Sequence, residues 1–267
     1  MMTSAAHRRV FSLCAVLLFA TGAVAAAEAA KEPRTDAAAI EAAFASADRP
    51  AEDRELDARR QSKAVLAFLG VRPGMRVIDV FSAGGYNTEL LARAVGVKGE
   101  VIAYNNPAYA RYAAKAIEKR YQGGRLGNVR QVTAEVDELE LPPGSLDAAL
   151  FVMSYHDVYF RPKDGGFDRT SGKELLERIH RGLKPGGVVV VQDHVAKPGG
   201  DPKEVADKLH RIDPALVRRD FEQAGFVFDG ENDVLKHPGD DHSTLVFDEA
   251  IRGKTDQFVY RFRKPVS

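Results

Sequence analysis

The sequence has one cysteine and no tryptophan. Cys14 lies close to the N-terminus. The rest of the chain can therefore form no internal disulfide, bind no zinc through thiolates and use no cysteine nucleophile. An excess of charge is missing too: 38 Lys and Arg face 38 Asp and Glu, without a long run of either sign. That balance offers no electrostatic footprint for a nucleic acid. The most apolar stretch, Val10 to Ala20, falls short of the ~20 residues a membrane helix needs. What is present, 45% hydrophobic and 28% charged residues in a chain of 267, is ordinary globular composition with enough length for one large core.

The first 29 residues read as a signal peptide. His7, Arg8 and Arg9 form a positive start, Val10 to Ala20 an apolar middle, and Thr21-Gly22-Ala23-Val24-Ala25 a small-residue cleavage site, with Ala27 and Ala29 as later options. Arg8-Arg9-Val10-Phe11 also has the core of a twin-arginine signal. The expected location is periplasmic or secreted, with no stable membrane insertion after cleavage. Cleavage after Ala25 takes away Arg8 and Arg9 and no acidic residue, so the remainder is slightly acidic.

Residues 30–70 read as an N-terminal linker and helix. Lys31 to Ala47 is Ala-rich with little to bury, and a helix is expected from Pro50 to Leu69, stopped by Gly70. Residues 71–267 read as one domain in which strands and helices alternate. Strands are expected at Arg76–Phe81, Glu100–Tyr104, Val129–Thr133, Leu146–Met153, Val188–Gln192, Phe226–Phe228 and Gln257–Arg263. Helices are expected at Tyr86–Val95, Pro107–Tyr121, Ser171–Leu183 and Pro214–Ala224. Val77-Ile78, Val101-Ile102 and Val188–Val191 are continuous apolar runs, the mark of strands buried on both faces. The alternation implies an α/β fold with a doubly wound, mostly parallel seven-stranded sheet and an N-terminal helical extension.

In such sheets ligands bind beyond the carboxyl ends of the strands. The first strand and its turn read Val77-Ile78-Asp79-Val80-Phe81-Ser82-Ala83-Gly84-Gly85-Tyr86. Ser82 to Gly85 are small enough for backbone to approach a ligand, and the following helix offers free N–H groups. Asp79 is placed to orient the loop or meet a cationic ligand. The dinucleotide fingerprint G-x-G-x-x-G is missing.

Pro73 through Ala92 resembles motif I of the class I S-adenosylmethionine-dependent methyltransferases. Phe81 and Ala83 stand where that family has its first two glycines, and Gly85 matches the third. Tyr104-Asn105 resembles the end of the family's second strand, with Asn105 in place of the usual acid. Glu135-Val136 resembles the acidic step beside adenine, and Leu183-Lys184-Pro185-Gly186-Gly187 the lead-in to strand five. The whole chain is also similar to a group of exported bacterial predicted methyltransferases, through Tyr155-His156-Asp157, Leu209 to Asp213, Val246-Phe247-Asp248 and Ile251 to Asp256. The resemblance implies a Rossmann-like fold, S-adenosyl-L-methionine as donor and methyl transfer to a small-molecule acceptor. It implies donor contacts at Asp79, Ser82, Ala83, Gly84, Gly85, Tyr86, Asn105, Glu135 and Val136.

Ser154-Tyr155-His156-Asp157 and Gln192-Asp193-His194 end strands four and five, which face one crevice. His156 is the expected base, oriented by Asp157, with Tyr155 to bond or stack on the acceptor and His194 nearby. A divalent cation on Asp157, Asp193 and His194 is the competing use; no metal is assigned. Arg211 is read either as a clamp for an anionic ligand or as a surface ion pair, and Asp240-Asp241-His242 as a solvated loop, with a metal or substrate contact left open. Two further readings are a ligand-binding protein on the same fold without turnover and a metal-assisted enzyme.

Overall fold

The computed structural model describes Met1, Met2 and residues 36–163 and 165–266. The expected signal peptide and Cys14 lie outside these residues. Seven strands form one sheet in the order β3-β2-β1-β4-β5-β7-β6. They are β1 (Arg76–Val80), β2 (Glu100–Asn105), β3 (Val129–Thr133), β4 (Leu146–Val152), β5 (Leu183–His194), β6 (Val227–Glu231) and β7 (Gln257–Arg263). β1 to β5 run parallel, while β7 is antiparallel to both β5 and β6. Order reverses between β1 and β4, which places the switch point, and the ligand crevice, at their carboxyl ends.

The helices are α1 (Ala37–Ala45), α2 (Ala51–Arg60), α3 (Ser62–Leu69), α4 (Tyr86–Val95), α5 (Pro107–Tyr112), α6 (Ala114–Tyr121), α7 (Gly172–Gly182), α8 (Pro202–Leu209) and α9 (Pro214–Gln223). None among the described residues is long and apolar enough to cross a membrane. The apolar stripe of α7 does what its spacing implies: Leu175, Leu176 and Ile179 are all buried under the sheet.

Three expectations needed correction. The helix expected from Pro50 to Leu69 is two helices, because Gln61 adopts φ 48 and turns the chain between α2 and α3. The helix from Pro107 breaks likewise at Ala113. The Ala-rich start is more than a linker: Ile40 and Ala43 are buried and α1 packs on α3 and α4.

An ion cluster ties the N-terminal helices to the sheet. Glu89 on α4 has no exposed side-chain surface and accepts hydrogen bonds from Arg93, Arg120 and Arg125. Arg120 also pairs with Asp53 on α2, and Arg93 with Asp48. Burial opposes the charge on Glu89, but the three guanidinium groups outweigh it and hold the carboxyl down to about 2.

Candidate functional site

The turn after β1 keeps the backbone of a glycine loop with other residues at two of its three glycine places. Phe81 adopts φ 54, Ala83 φ 47 and Gly85 φ 79, a left-handed conformation that side chains disfavour. The Phe81 ring stacks on Tyr109 at 5.1 Å between centroids and packs against Tyr104 at 5.5 Å. Asn105 fixes the loop from β2. Its Oδ1 accepts the Ala83 N–H at 2.8 Å, and its Nδ2 donates to Ser82 Oγ at 3.1 Å and to the Ala83 carbonyl at 3.3 Å. The side chain expected to hold a ligand hydroxyl thus braces the turn. Gly84 is required by close approach, since a Cβ there would stand 2.7 Å from that of Ala116.

Above the loop opens a crevice of about 770 Å³, lined by Asp79, Ser82, Ala83, Gly84, Gly85 and Tyr86 among others. No side chain caps the N-terminus of α4 behind the loop, so its first N–H groups face a ligand. Asp79 is buried and accepts a 2.5 Å hydrogen bond from the Thr88 hydroxyl. Burial raises its carboxyl to about 7. A cation beside it would restore the charged form. Tyr86 donates to Asp57 at 2.7 Å and carries the Arg60 guanidinium 4.4 Å over its ring.

The two residues expected beside adenine lie outside this lining. Val136 is fully buried in the core. Glu135 is half-buried, and its Oε2 has no hydrogen-bond partner among the described residues. It is an acceptor awaiting a donor.

On the far side of the crevice, a turn at Tyr155–Val158 follows β4. It sends His156 and Asp157 into the crevice and Tyr155 away from it. Tyr155 packs on Phe151 and Phe221 and donates to Asp220 at 3.0 Å. That position removes it from the expected catalytic set. His156 is oriented by Asp193 rather than Asp157: its Nδ1 lies 2.9 Å from Asp193 Oδ1. Asp157 is held instead by the Tyr109 hydroxyl.

The second imidazole beside His156 is His210, not His194. His210 ends α8 at φ 51. Two backbone bonds beside it, Ile212 N–H to the His194 carbonyl and Ala196 N–H to the Ile212 carbonyl, both 2.9 Å, lay this segment along the end of β5. His210 Nδ1 then stands 3.3 Å from His156 Nε2, and Asp157 Oδ1 stands 3.4 Å from the same nitrogen. His194 also lines the crevice, but its Nδ1 is engaged by Thr255 Oγ1 at 2.9 Å. In the sequence His210 stands out only as part of the stretch Leu209 to Asp213, with nothing to pair it with His156. Its approach depends on a bridge between Val195 and Ile212 that no local pattern announces.

Electrostatics separates the three histidines. Burial opposes a charge on His156, yet Asp157 and Asp193 overcome it and raise the imidazole to about 9. His156 is then a cation at neutral pH, which fits a hydrogen-bond donor and not the base expected. Burial lowers both His194 and His210 to about 4, leaving them neutral. The rim is aromatic: Phe160 and Phe247 pack on His210 at 4.8 and 4.9 Å, and Phe167 lies against Phe160.

Arg211 serves the fold. It is fully buried and pairs with Asp240 through both terminal nitrogens, at 2.8 and 3.1 Å, while bonding the Val195 and Thr244 carbonyls. Asp240 in turn accepts from the Asp256 N–H. This holds the irregular stretch between β6 and β7 over the crevice, where it adds Val246 and Phe247 to the wall. Arg211 is thus a buried ion pair rather than a surface one or a ligand clamp, and in the loop Asp240 is turned inward while Asp241 stays exposed.

Residues 78–191 match the model of the methyltransferase domain family. The match covers less than half of the chain. The seven-stranded sheet has the fold of the class I S-adenosylmethionine-dependent methyltransferases. A ubiquinone/menaquinone biosynthesis C-methyltransferase of Idiomarina loihiensis is 31% identical over 123 residues, 46% of this chain and 43% of that protein. One from Teredinibacter turnerae is 29% identical over 154 residues, 57% and 55% of the two chains. The chain thus spans about half the length of the curated relatives it matches. Among solved structures, an S-adenosylmethionine-dependent methyltransferase from Aquifex aeolicus superposes with TM-score 0.55 at 20% identity, over 86% of this chain and all of that one. Phosphoethanolamine N-methyltransferase 2 of Haemonchus contortus gives 0.54 at 17%, over 77% and 52%. At these identities the likeness speaks for the methyltransferase fold.

Proposed function

We propose that the protein transfers a methyl group from S-adenosylmethionine to a small-molecule acceptor in this crevice. One observation carries the reading: the loop of Phe81 to Gly85 and the cluster of His156, Asp157 and His210 line the same cavity. The residues present fit the donor. The loop retains left-handed backbone at all three glycine places, the α4 N-terminus carries no side-chain cap, and Asp79 is a buried carboxyl suited to a cationic ligand.

The donor supplies an electrophilic methyl group on a sulfonium. The chain's part is alignment and charge placement. The aromatic rim of Phe160, Phe167 and Phe247 suits an apolar, ring-bearing acceptor, and the histidine cluster at its floor suits an ionisable atom on that ring. His156 donates a hydrogen bond there, and neutral His210 is the member able to take a proton. Calorimetric titration of the full chain with S-adenosylmethionine tests the reading. Saturable binding in the micromolar range is expected, and no heat at millimolar donor overturns it.

We further infer that the protein is exported to the periplasm or beyond. The support is the charged start at His7 to Arg9, the apolar run and the small-residue site at Ala23 to Ala25. Fractionation with N-terminal sequencing should recover a shortened chain outside the cytoplasm. A full-length chain confined to the cytoplasm refutes it.

A further inference from the structure

We propose that His156, Asp157 and His210 form a binding site for one transition-metal ion of the zinc class, with an open position toward the crevice. The donor atoms are two imidazole nitrogens and a carboxylate oxygen, all within 4.8 Å of one another. Nitrogen-rich ligand sets favour zinc, iron or cobalt over magnesium and calcium, which prefer oxygen alone.

Spacing separates this reading from plain hydrogen bonding. His156 Nε2 lies 3.3 Å from His210 Nδ1 and 3.4 Å from Asp157 Oδ1. Good hydrogen bonds between such atoms are about 2.7–3.2 Å. Two ligands at about 2.0–2.1 Å from a tetrahedral ion stand about 3.3–3.4 Å apart. Both separations are therefore long for hydrogen bonds and right for neighbouring ligands.

The surroundings repeat what metal ligands ordinarily have behind them. A ligating histidine passes its other ring N–H to a carboxylate, and a ligating carboxylate is itself hydrogen-bonded. Here Asp193 Oδ1 holds His156 Nδ1 at 2.9 Å, and the Tyr109 hydroxyl holds the second oxygen of Asp157. His210 has no such partner among the described residues but is wedged between Phe160 and Phe247. Its backbone at φ 51 closes α8, which fixes where the ring starts. Three protein ligands leave a fourth position, and all three line the crevice, which is the arrangement of an open rather than a closed site. An ion there would polarise an acceptor atom. The metal site does not depend on the methyl donor, so each proposal can fail alone.

The test uses the full chain, stripped with chelator and titrated with cobalt(II) and zinc(II) in the absence of donor. One equivalent of cobalt should bind with visible d–d bands of low coordination number, displaced by zinc, and zinc should raise Tm. His210→Asn, which tolerates left-handed backbone, should lose at least ~100-fold in affinity while keeping its circular dichroism. Tyr109→Phe and Asp193→Asn should each lose roughly 10–100-fold. His180→Asn, on the remote helix α7, should bind as the parent does. No cobalt bands at millimolar metal, or equal binding by His210→Asn and the parent, overturns the proposal.

Discussion

Asn105 holds Ala83 in place: its side-chain oxygen accepts the Ala83 N–H at 2.8 Å, across the gap between β2 and the turn after β1. The amide clasps a backbone that an alanine would not choose. Asn105→Ala removes the acceptor and both donors. We expect a stability loss of about 1–2 kcal/mol and a rise of roughly tenfold in KM for the donor with kcat little changed. Urea denaturation and steady-state kinetics measure the two. A lowered kcat at unaltered KM would place Asn105 elsewhere in the reaction.

Asp79 trades stability for charge recognition. Its folded pKa, about 7, lies above the 3.8 of a free aspartate. The folded state therefore binds its proton more tightly. The stability from this group is full below pH 3.8 and is lost as pH rises through 7. Asp79→Asn is neutral at every pH. It should stabilise the ligand-free protein at pH 8 by ~1 kcal/mol, or roughly 2–4 °C in Tm. It should also weaken donor binding by about tenfold or more, since a cation loses its carboxylate. Scanning calorimetry and donor titration read both signs, and a fall in Tm would sink the argument.

Glu89 works in the opposite direction. Its folded pKa of about 2 is below the ordinary 4.5. Its contribution is present above pH 4.5 and is lost as pH falls toward 2. Glu89→Gln leaves Arg93, Arg120 and Arg125 around an uncharged group. The cost should be about 3–5 kcal/mol at pH 7, shrinking as the buffer is taken from pH 4.5 to 2. Urea titrations across that range give the curve, and a constant gap would contradict it.

Tyr155 carries a negative prediction. Its hydroxyl bonds Asp220, which also accepts from Tyr159 at 2.6 Å. Tyr155→Phe should cost ~1 kcal/mol and leave methyl transfer within about twofold. A large kinetic loss at intact stability would return Tyr155 to the site.

Strand periodicity made the sheet legible, because Val77-Ile78, Val101-Ile102 and Val188–Val191 fill its centre and are apolar on both faces. The breaks at Gln61 and Ala113 were not, since neither residue is a helix breaker by type. Within the site, Gly84, Gly85 and His156 were legible from their place after a strand. The pairing of His156 with His210 was not: 54 residues separate them, and no local pattern links them. The role of Asp193 was hidden in the same way, as its carboxylate reaches sideways from β5 to the turn after β4. Phe81 read as a departure because side-chain identity is visible in sequence and backbone torsion is not.

The crevice is walled at one end by α2, through Asp53, Leu56 and Arg60, and at the other by Val246 and Phe247. Those walls come from segments nearly two hundred residues apart. A ligand that touches both would bridge them, so occupancy of the cavity is expected to couple the opening of α2 to that of the stretch before β7.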